Sequence, residues 1–402
     1  MDRKPRILRV TTVALSLRTL LKGQMKFMKE NGFEVLMTSA ADDQIKSLEE
    51  DEGVKHVSIP LTRTITPFQD LKTIKEMRSL IKSFNPDIVH THTPKAGLIG
   101  MLAAKVTGVP IRMHTVAGMP LMEKSGIIKK ILLAVEKLTY AAATKVYPNS
   151  NTLAEYIVRN NLTNKNKLHV IGNGSSNGID TSHFSKNDKI EKEAELLRSK
   201  YELGGNFIYG FIGRIVGDKG INELVKAFEK INASNPSTRL LLVGPFESEL
   251  DPLQPETESL IKNHPNIINT GFQKDIRPYL ELMDVFVFPS YREGFPNVVM
   301  QAGCFDLPCI VSDINGCNEI IIEGRNGTII PPKDIESLER AMIDVLNNQE
   351  FLEGMASQAR ELITSRYDQK VVWEKILEEY DKNLKEIGVT RAYRESSTIS
   401  NS

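Results

Sequence analysis

Short apolar runs alternate with longer amphipathic stretches along almost the whole chain. In the first half the runs fall at 7–14, 33–40, 54–60, 87–93, 111–117, 145–150 and 168–174. In the second half they fall at 207–214, 240–245, 267–272, 285–290, 308–313 and 327–332. Most are rich in Val, Ile or Phe and close on Gly, Pro, Asn or Ser. Strand-length runs separated by helix-length segments predict βαβ units and parallel sheets. Two such series predict an α/β chain with two Rossmann-like, doubly wound domains. A chain of 402 residues also exceeds what one hydrophobic core usually serves.

The pattern breaks at 172–206, first Gly/Ser/Asn-rich and then highly charged, which suits a linker or hinge. The expected domains are therefore 1–185 and 186–369. The stretch 366–388 reads as a closing helix, and the Ser/Thr-rich tail 389–402 is expected to be disordered.

Charge and cysteine content narrow the partners. Lys plus Arg equals Asp plus Glu, 51 against 51, so no global attraction to nucleic acid is expected and any anion site must be local. The N-terminal MDRKPRILRVTT lacks the apolar core of a signal peptide, and no run is long enough to span a bilayer. The three cysteines, Cys304, Cys309 and Cys317, fit no zinc spacing and read as reduced thiols. A cytoplasmic protein is expected.

In parallel sheets ligands bind beyond the carboxyl ends of the strands. Two strand ends carry suitable chemistry. In FIYGFIGRIVGDKGINELVKAF (207–228) an apolar strand ends at Gly213 and is followed by Arg214, Lys219 and Gly220. Arginine can fork two phosphate oxygens, lysine adds a second charge, and the glycines permit tight turns. The run is not a Walker A loop. It suits a diphosphate, or simply a joint with exposed basic residues. In DVFVFPSYREGFPNVVMQAG (284–303) a strand is followed by a loop with Glu293 and by a helix expected from Pro296 or Asn297. Glu293 and Gln301 can both accept hydrogen bonds from sugar hydroxyls. A carboxylate beside a helix start is also favoured by the dipole alone.

Together with SLRTLLKGQ (16–24), NPDIVHTHTPKAG (85–97) and NGID followed by Phe184, these runs resemble the retaining glycosyltransferases of family 4, which have the GT-B fold. The resemblance extends over nearly the whole chain. It is greatest to bacterial enzymes that build capsule, exopolysaccharide or O-antigen units. It implies two Rossmann-like domains facing a cleft, an acceptor domain first and a donor domain second. It also implies that 370–388 returns to the first domain and that a hinge near 174–186 closes the cleft. By resemblance Arg214 and Lys219 bind the donor diphosphate, Glu293 meets the donor sugar, and the backbone of Gly294, Phe295, Pro296 and Asn297 lies against sugar and phosphate. Gln301 stands where the family has a ribose-binding glutamate, and the backbone of Gly271 to Lys274, which includes Phe272, frames the base.

The first half departs from the family. The segment 12–18 lacks the paired glycines of many relatives, and Ala117 stands where many carry a histidine. His114 and His92 are the remaining catalytic candidates.

The expected reaction is transfer of a sugar from a nucleoside-diphosphate-sugar, taken as a UDP-sugar, to a glycan acceptor, taken as lipid-linked. No strand end carries a DxD-type acidic pair, so neither metal nor other cofactor is expected. The segment 120–146 places Lys124, Lys129, Lys130 and Lys137 among Ile127, Ile128, Leu132 and Leu133. It suits contact with the inner face of the cell membrane, or a packed helix with a solvated lysine face. Two rival functions remain: a nucleotide-sugar epimerase of the same fold, and a sugar-nucleotide-binding protein without catalysis.

Overall fold

The computed structural model describes residues 3–391 apart from 63, 65, 120–124, 248 and 250. Lys124 and most of the expected disordered tail lie outside the described residues. The chain forms two compact units. Unit 1 is Met1–Asn177 with Lys370–Ser402, and unit 2 is Gly178–Gln369.

Unit 1 holds β1 (Arg6–Val13), β2 (Glu34–Ala40), β3 (Lys55–Ser58), β4 (Ile88–His92), β5 (Ile111–Val116) and β6 (Lys145–Pro148). They form one parallel sheet in the order β3-β2-β1-β4-β5-β6. Unit 2 holds β7 (Phe207–Ile212), β8 (Thr238–Val243), β9 (Ile267–Asn269), β10 (Val285–Phe288), β11 (Cys309–Ser312) and β12 (Gly327–Ile330). They form a second parallel sheet in the order β12-β11-β10-β7-β8-β9. Both sheets are doubly wound, and β4, β10 and β11 are buried along their whole length. Parallel sheets covered on both faces demand such strands. In each sheet the order reverses beside the first strand, at β1/β4 and at β7/β10. Crossovers leave such a switch point in opposite directions and open a crevice at the carboxyl ends.

All six strands expected in the second half are present, and six of the seven expected in the first. The seventh, 168–174, makes only one bridge, Leu168 to Val146. Its Gly172 and Gly174 take positive φ, and Gly174 N turns back to Ile171 O, so the run cannot extend. The charged part of the expected linker is a helix, Asp188–Lys200. Asn187 caps it by accepting from Lys189 N and Ile190 N, and it buries Ile190 and Ala194.

The chain enters unit 2 at Gly178, earlier than the expected 185/186. The reason is local: Ile179 is in the core of unit 2, its N–H donates to Tyr367 O at 2.8 Å, and Arg360 donates to Thr181 O and Phe184 O. The expected closing helix is broken at Asp368. Gln349–Tyr367 ends in unit 2, and Gln369–Glu386 buries Val372, Ile376, Tyr380 and Leu384 against Ile7, Ile88 and Met113 of the first sheet. The spacing of four residues gives that helix one apolar face.

The three cysteines are free and buried, and burial pushes the Cys304 thiol up to about 12. No described helix is long and apolar enough to cross a membrane.

Candidate active site

The switch point of unit 2 brings the two informative runs together. β7 ends at Ile212, and the chain makes one turn of 3-10 helix, Gly217–Lys219, before the helix Ile221–Ser234. β10 ends at Phe288, and the loop 289–296 leads into the helix Asn297–Gly303. Because β7 and β10 are neighbours, their loops face each other. Lys219 Nζ forms an ion pair with Glu293 Oε1, and Ser290 Oγ lies 3.3 Å from the same oxygen. Arg214 points its Nη1 at Glu247 Oε2, 3.2 Å away, on the loop after β8.

Gly220 makes the approach possible. It has φ +71°, and a Cβ there would lie 2.1 Å from the carbonyl oxygen of Pro289. Polar contacts then lock the loops. Tyr291 N donates to Asp218 O at 2.9 Å, Arg292 Nε and Nη2 donate to Asp218 Oδ2 at 2.9 and 2.6 Å, and Tyr291 Oη donates to Glu223 Oε2 at 2.6 Å. Burial, with Glu223 adding to it, pushes the Tyr291 phenol well up, so it stays a donor. From the loop after β11, Asn315 Nδ2 donates to Glu293 O at 3.1 Å and to Gly294 O. Asp218, Glu223, Arg292 and Asn315 were not legible as site residues. Asn315 comes from a third loop, which strand order places beside β10.

The remaining expected donor residues divide. Phe295 packs its ring on Tyr367, 5.4 Å between centroids, so the loop Gly294–Asn297 offers a ligand its backbone. The helix begins at Asn297 after Pro296, as expected, but has only seven residues, so its dipole contribution is small beside the two cations. Gln301 lies within this helix, half-buried, with no side-chain partner among the described residues, and nothing joins it to Glu293. Gly271 and Phe272 follow β9. The Phe272 ring is 74% exposed and free to stack on a planar group.

In unit 1 the two histidine candidates separate. Strand pairing sets Arg9 beside His90 and His92 beside Thr115, with Thr91 beside His114. Side chains alternate along a strand. Arg9, His90, His92 and Thr115 therefore share one face, and Thr91 and His114 the other. His92 Nε2 lies 2.5 Å from Arg9 Nη1, and Arg9 Nη2 donates to Tyr380 Oη at 2.7 Å. His114 Nδ1 lies 2.7 Å from Thr91 Oγ1, with its ring over Gly97. Both histidines are 2% exposed. Burial lowers the His92 imidazole well below its usual range and brings His114 to about 4, so both are neutral near pH 7. Each ring engages a neighbour within unit 1, His92 through Nε2 and His114 through Nδ1. At the switch point of unit 1, Thr12 Oγ1 and Thr93 Oγ1 meet at 2.7 Å. The glycine-free segment after β1 is the helix Ala14–Leu20, with no intervening loop.

The basic segment forms the helix Gly126–Ala142. Ile127, Ile128 and Ile131 are exposed at its start, and Lys130 and Lys137 are exposed along it. Its buried side carries Glu136, Thr139 and Tyr140. The segment is thus packed towards its end and exposes apolar and basic side chains at its start. Among the described residues no group of three His, Cys, Asp or Glu side chains is placed to hold a metal ion.

Residues 192–362 match the family model "Glycosyl transferases group 1", and 18–174 match "Glycosyl transferase 4-like domain". A capsular polysaccharide biosynthesis glycosyltransferase of Staphylococcus aureus, CapM, is 32% identical over 95% of this chain and 98% of its own. An Escherichia coli UDP-Gal:alpha-D-GlcNAc-diphosphoundecaprenol alpha-1,3-galactosyltransferase is 29% identical over 79% of this chain and 81% of its own. A Campylobacter jejuni N,N'-diacetylbacillosaminyl-diphospho-undecaprenol alpha-1,3-N-acetylgalactosaminyltransferase is 25% identical over 90% and 95%. Among solved structures, Anabaena HepE in complex with UDP superposes with a TM-score of 0.79 at 19% identity, over 94% of this chain and all of that one. A Rickettsia africae glycosyltransferase gives 0.78 at 21% identity, over 95% and 99%. The relatives named here are transferases, not epimerases.

Proposed function

The chain belongs to the family 4 glycosyltransferases of GT-B fold, related to transferases of capsular and lipid-linked polysaccharides, and we propose that it moves a sugar from a UDP-sugar to a lipid-linked glycan during surface polysaccharide synthesis. The observation that carries this reading is the meeting of Lys219 and Glu293 at the switch point of unit 2. A cation for phosphate and a carboxylate for sugar hydroxyls stand side by side there, with Arg214 in the same loop as Lys219. The UDP donor and the lipid-linked acceptor are supported by the names of the Escherichia coli and Campylobacter jejuni relatives.

In this reading Arg214 and Lys219 neutralise the diphosphate. Lys219 exchanges Glu293 for phosphate oxygens, and the freed carboxylate turns to the sugar hydroxyls. The backbone of Gly294–Asn297 lies against sugar and phosphate. Gly271 and Phe272 receive the base, and Gln301 the ribose. The acceptor hydroxyl oxygen bonds to the anomeric carbon as the bond from that carbon to the β-phosphate oxygen breaks. The hydroxyl proton passes to a β-phosphate oxygen of the departing UDP. Attack on the face that UDP leaves retains configuration. Charge grows on the leaving phosphate, and the two fixed cations stabilise it without a metal cofactor. The exposed isoleucines and lysines of 126–142 support work at the cytoplasmic face of the membrane.

Calorimetry with UDP, GDP and ADP in metal-free buffer tests the site. Lys219→Ala and Arg214→Ala are each expected to weaken binding of the preferred nucleotide by about tenfold or more, the size of a lost charge-assisted contact. Glu293→Gln should remove turnover, since its contact in the reaction is to the sugar, and should tighten UDP binding, since Lys219 loses its ion-pair partner. Wild-type affinity in both basic variants would sink the assignment.

A further inference from the structure

Each cation of the donor site already has a partner, and the two partners come from opposite sides of β7. Glu293 reaches Lys219 from the β10 side. Glu247 reaches Arg214 from the β8 side. Glu293 has a use in the reaction proposed above. Glu247 has none.

The backbone fixes Glu247 in place. Gly213 N donates to Val243 O at 2.9 Å, Ile215 N donates to Pro245 O at 2.8 Å, and Ile215 bridges to Phe246. Gly244 lies so close that a Cβ there would sit 1.8 Å from Gly213 O. The loops after β7 and β8 are therefore tied together on both sides of Arg214 and up to the residue before Glu247. The pair faces water, with side-chain exposures of 42% for Arg214 and 35% for Glu247. Only Nη1 of Arg214 is engaged, and its other nitrogens have no partner among the described residues.

A diphosphate arriving at Arg214 meets a guanidinium that is already neutralised. If the ion pair breaks, its energy is lost. If it holds, the carboxylate remains beside the phosphate oxygens, and like charges repel. Either course lowers affinity for the diphosphate. Affinity changes within one site appear mainly in the dissociation rate, and product release often limits turnover. We propose that Glu247 is a resident counter-ion that competes with the diphosphate for Arg214 and so speeds release of the spent nucleotide. The inference rests on the assignment of Arg214 to the diphosphate.

The test uses the full chain and whichever of UDP, GDP and ADP binds most tightly. Calorimetry gives affinity and stopped-flow displacement gives the release rate, for wild type, Glu247→Gln, Glu247→Asp, Arg214→Ala and the Arg214→Ala/Glu247→Gln pair. Glu247→Gln should tighten binding about threefold to fivefold, the size of one exposed ion pair, with a matching fall in release rate. Glu247→Asp keeps the charge and should fall between. In the Arg214→Ala background Glu247→Gln should change affinity less than about twofold. Unchanged or weaker binding in Glu247→Gln, with Arg214→Ala still weakening it, overturns the counter-ion role alone. Equal tightening with and without Arg214 also overturns it, because the effect is then bulk charge. Wild-type binding by Arg214→Ala overturns the assignment of Arg214 and this inference with it.

Discussion

Gly220 is the residue on which the meeting of the loops after β7 and β10 depends. A Cβ there strikes the Pro289 carbonyl, which is backbone and cannot swing aside, and φ is +71°. Gly271 is a natural control, with φ +68° and nothing within 4 Å of the added atom. Gly271→Ala should cost only the left-handed penalty, about 1 kcal/mol. Gly220→Ala should cost about 2–4 kcal/mol and weaken nucleotide binding about tenfold or more, because one loop must move. Thermal melts on the two variants, with calorimetry on Gly220→Ala, decide this, and equal losses of stability would count against the close approach. Arg214, Lys219 and Glu293 were legible in the sequence because each follows an apolar run, where a parallel sheet keeps its ligands. Their partners were not. Glu247 meets Arg214 and Asn315 meets the Glu293 carbonyl because β8 lies beside β7 and β11 beside β10, an order that spacing along the chain does not encode. The histidines show the same limit. His92 and His114 look alike in sequence, and only the register of β4 against β5 sends them to opposite faces.

Elements with a strong two-sided apolar pattern were read correctly, as the twelve strands show. The failures had local causes. Segment 168–174 has apolar residues but two glycines that turn it, and 366–388 has helical periodicity but is divided at Asp368, where the chain leaves unit 2. The helix Gly126–Ala142 shows why periodicity alone left two readings open. Its last turns pack Thr139 and Tyr140 inside unit 1, while its first turns expose Ile127 and Ile128 by 76% and 60%. Exposed isoleucines beside Lys129 and Lys130 suit an anionic bilayer surface. Ile127→Ser/Ile128→Ser/Ile131→Ser should therefore abolish sedimentation with vesicles rich in phosphatidylglycerol while leaving the melting temperature unchanged. Raising salt should weaken wild-type binding, since lysines supply part of the attraction. Retained binding by the triple variant would remove this helix from membrane contact.

At the scale of the molecule, the chain leaves unit 1, builds unit 2, and returns to close unit 1 with Gln369–Glu386. That closure is sensitive to protons. Tyr380 of the returning helix bonds to Arg9 and His90, and His90 stacks on His92 at 4.6 Å. Burial holds His90 and His92 well below the usual histidine range, with the Arg9 charge adding to it, and holds His114 at about 4. An unfolded chain takes up these protons near pH 6.5, while the folded unit resists them. The unfolded state then binds more protons, so stability falls as pH drops below about 6.5. For His114 the loss reaches about 3 kcal/mol by pH 4, at ~1.4 kcal/mol per unit. Glu52 and Glu136, raised by burial, act the other way in the same unit, but three fully buried imidazoles outweigh two carboxyls. The single tryptophan, Trp373, reports on this event alone. It lies on the returning helix, packs on Phe27 at 5.3 Å, and donates to Asn177 Oδ1 at 2.7 Å, all within unit 1. Between pH 7 and 5 its fluorescence-detected melting temperature should fall by several degrees. His114→Asn should flatten part of that slope, because its contribution no longer titrates. A melting temperature at Trp373 that stays constant from pH 7 to 5 would mean that the buried histidines do not control how the returning helix is held.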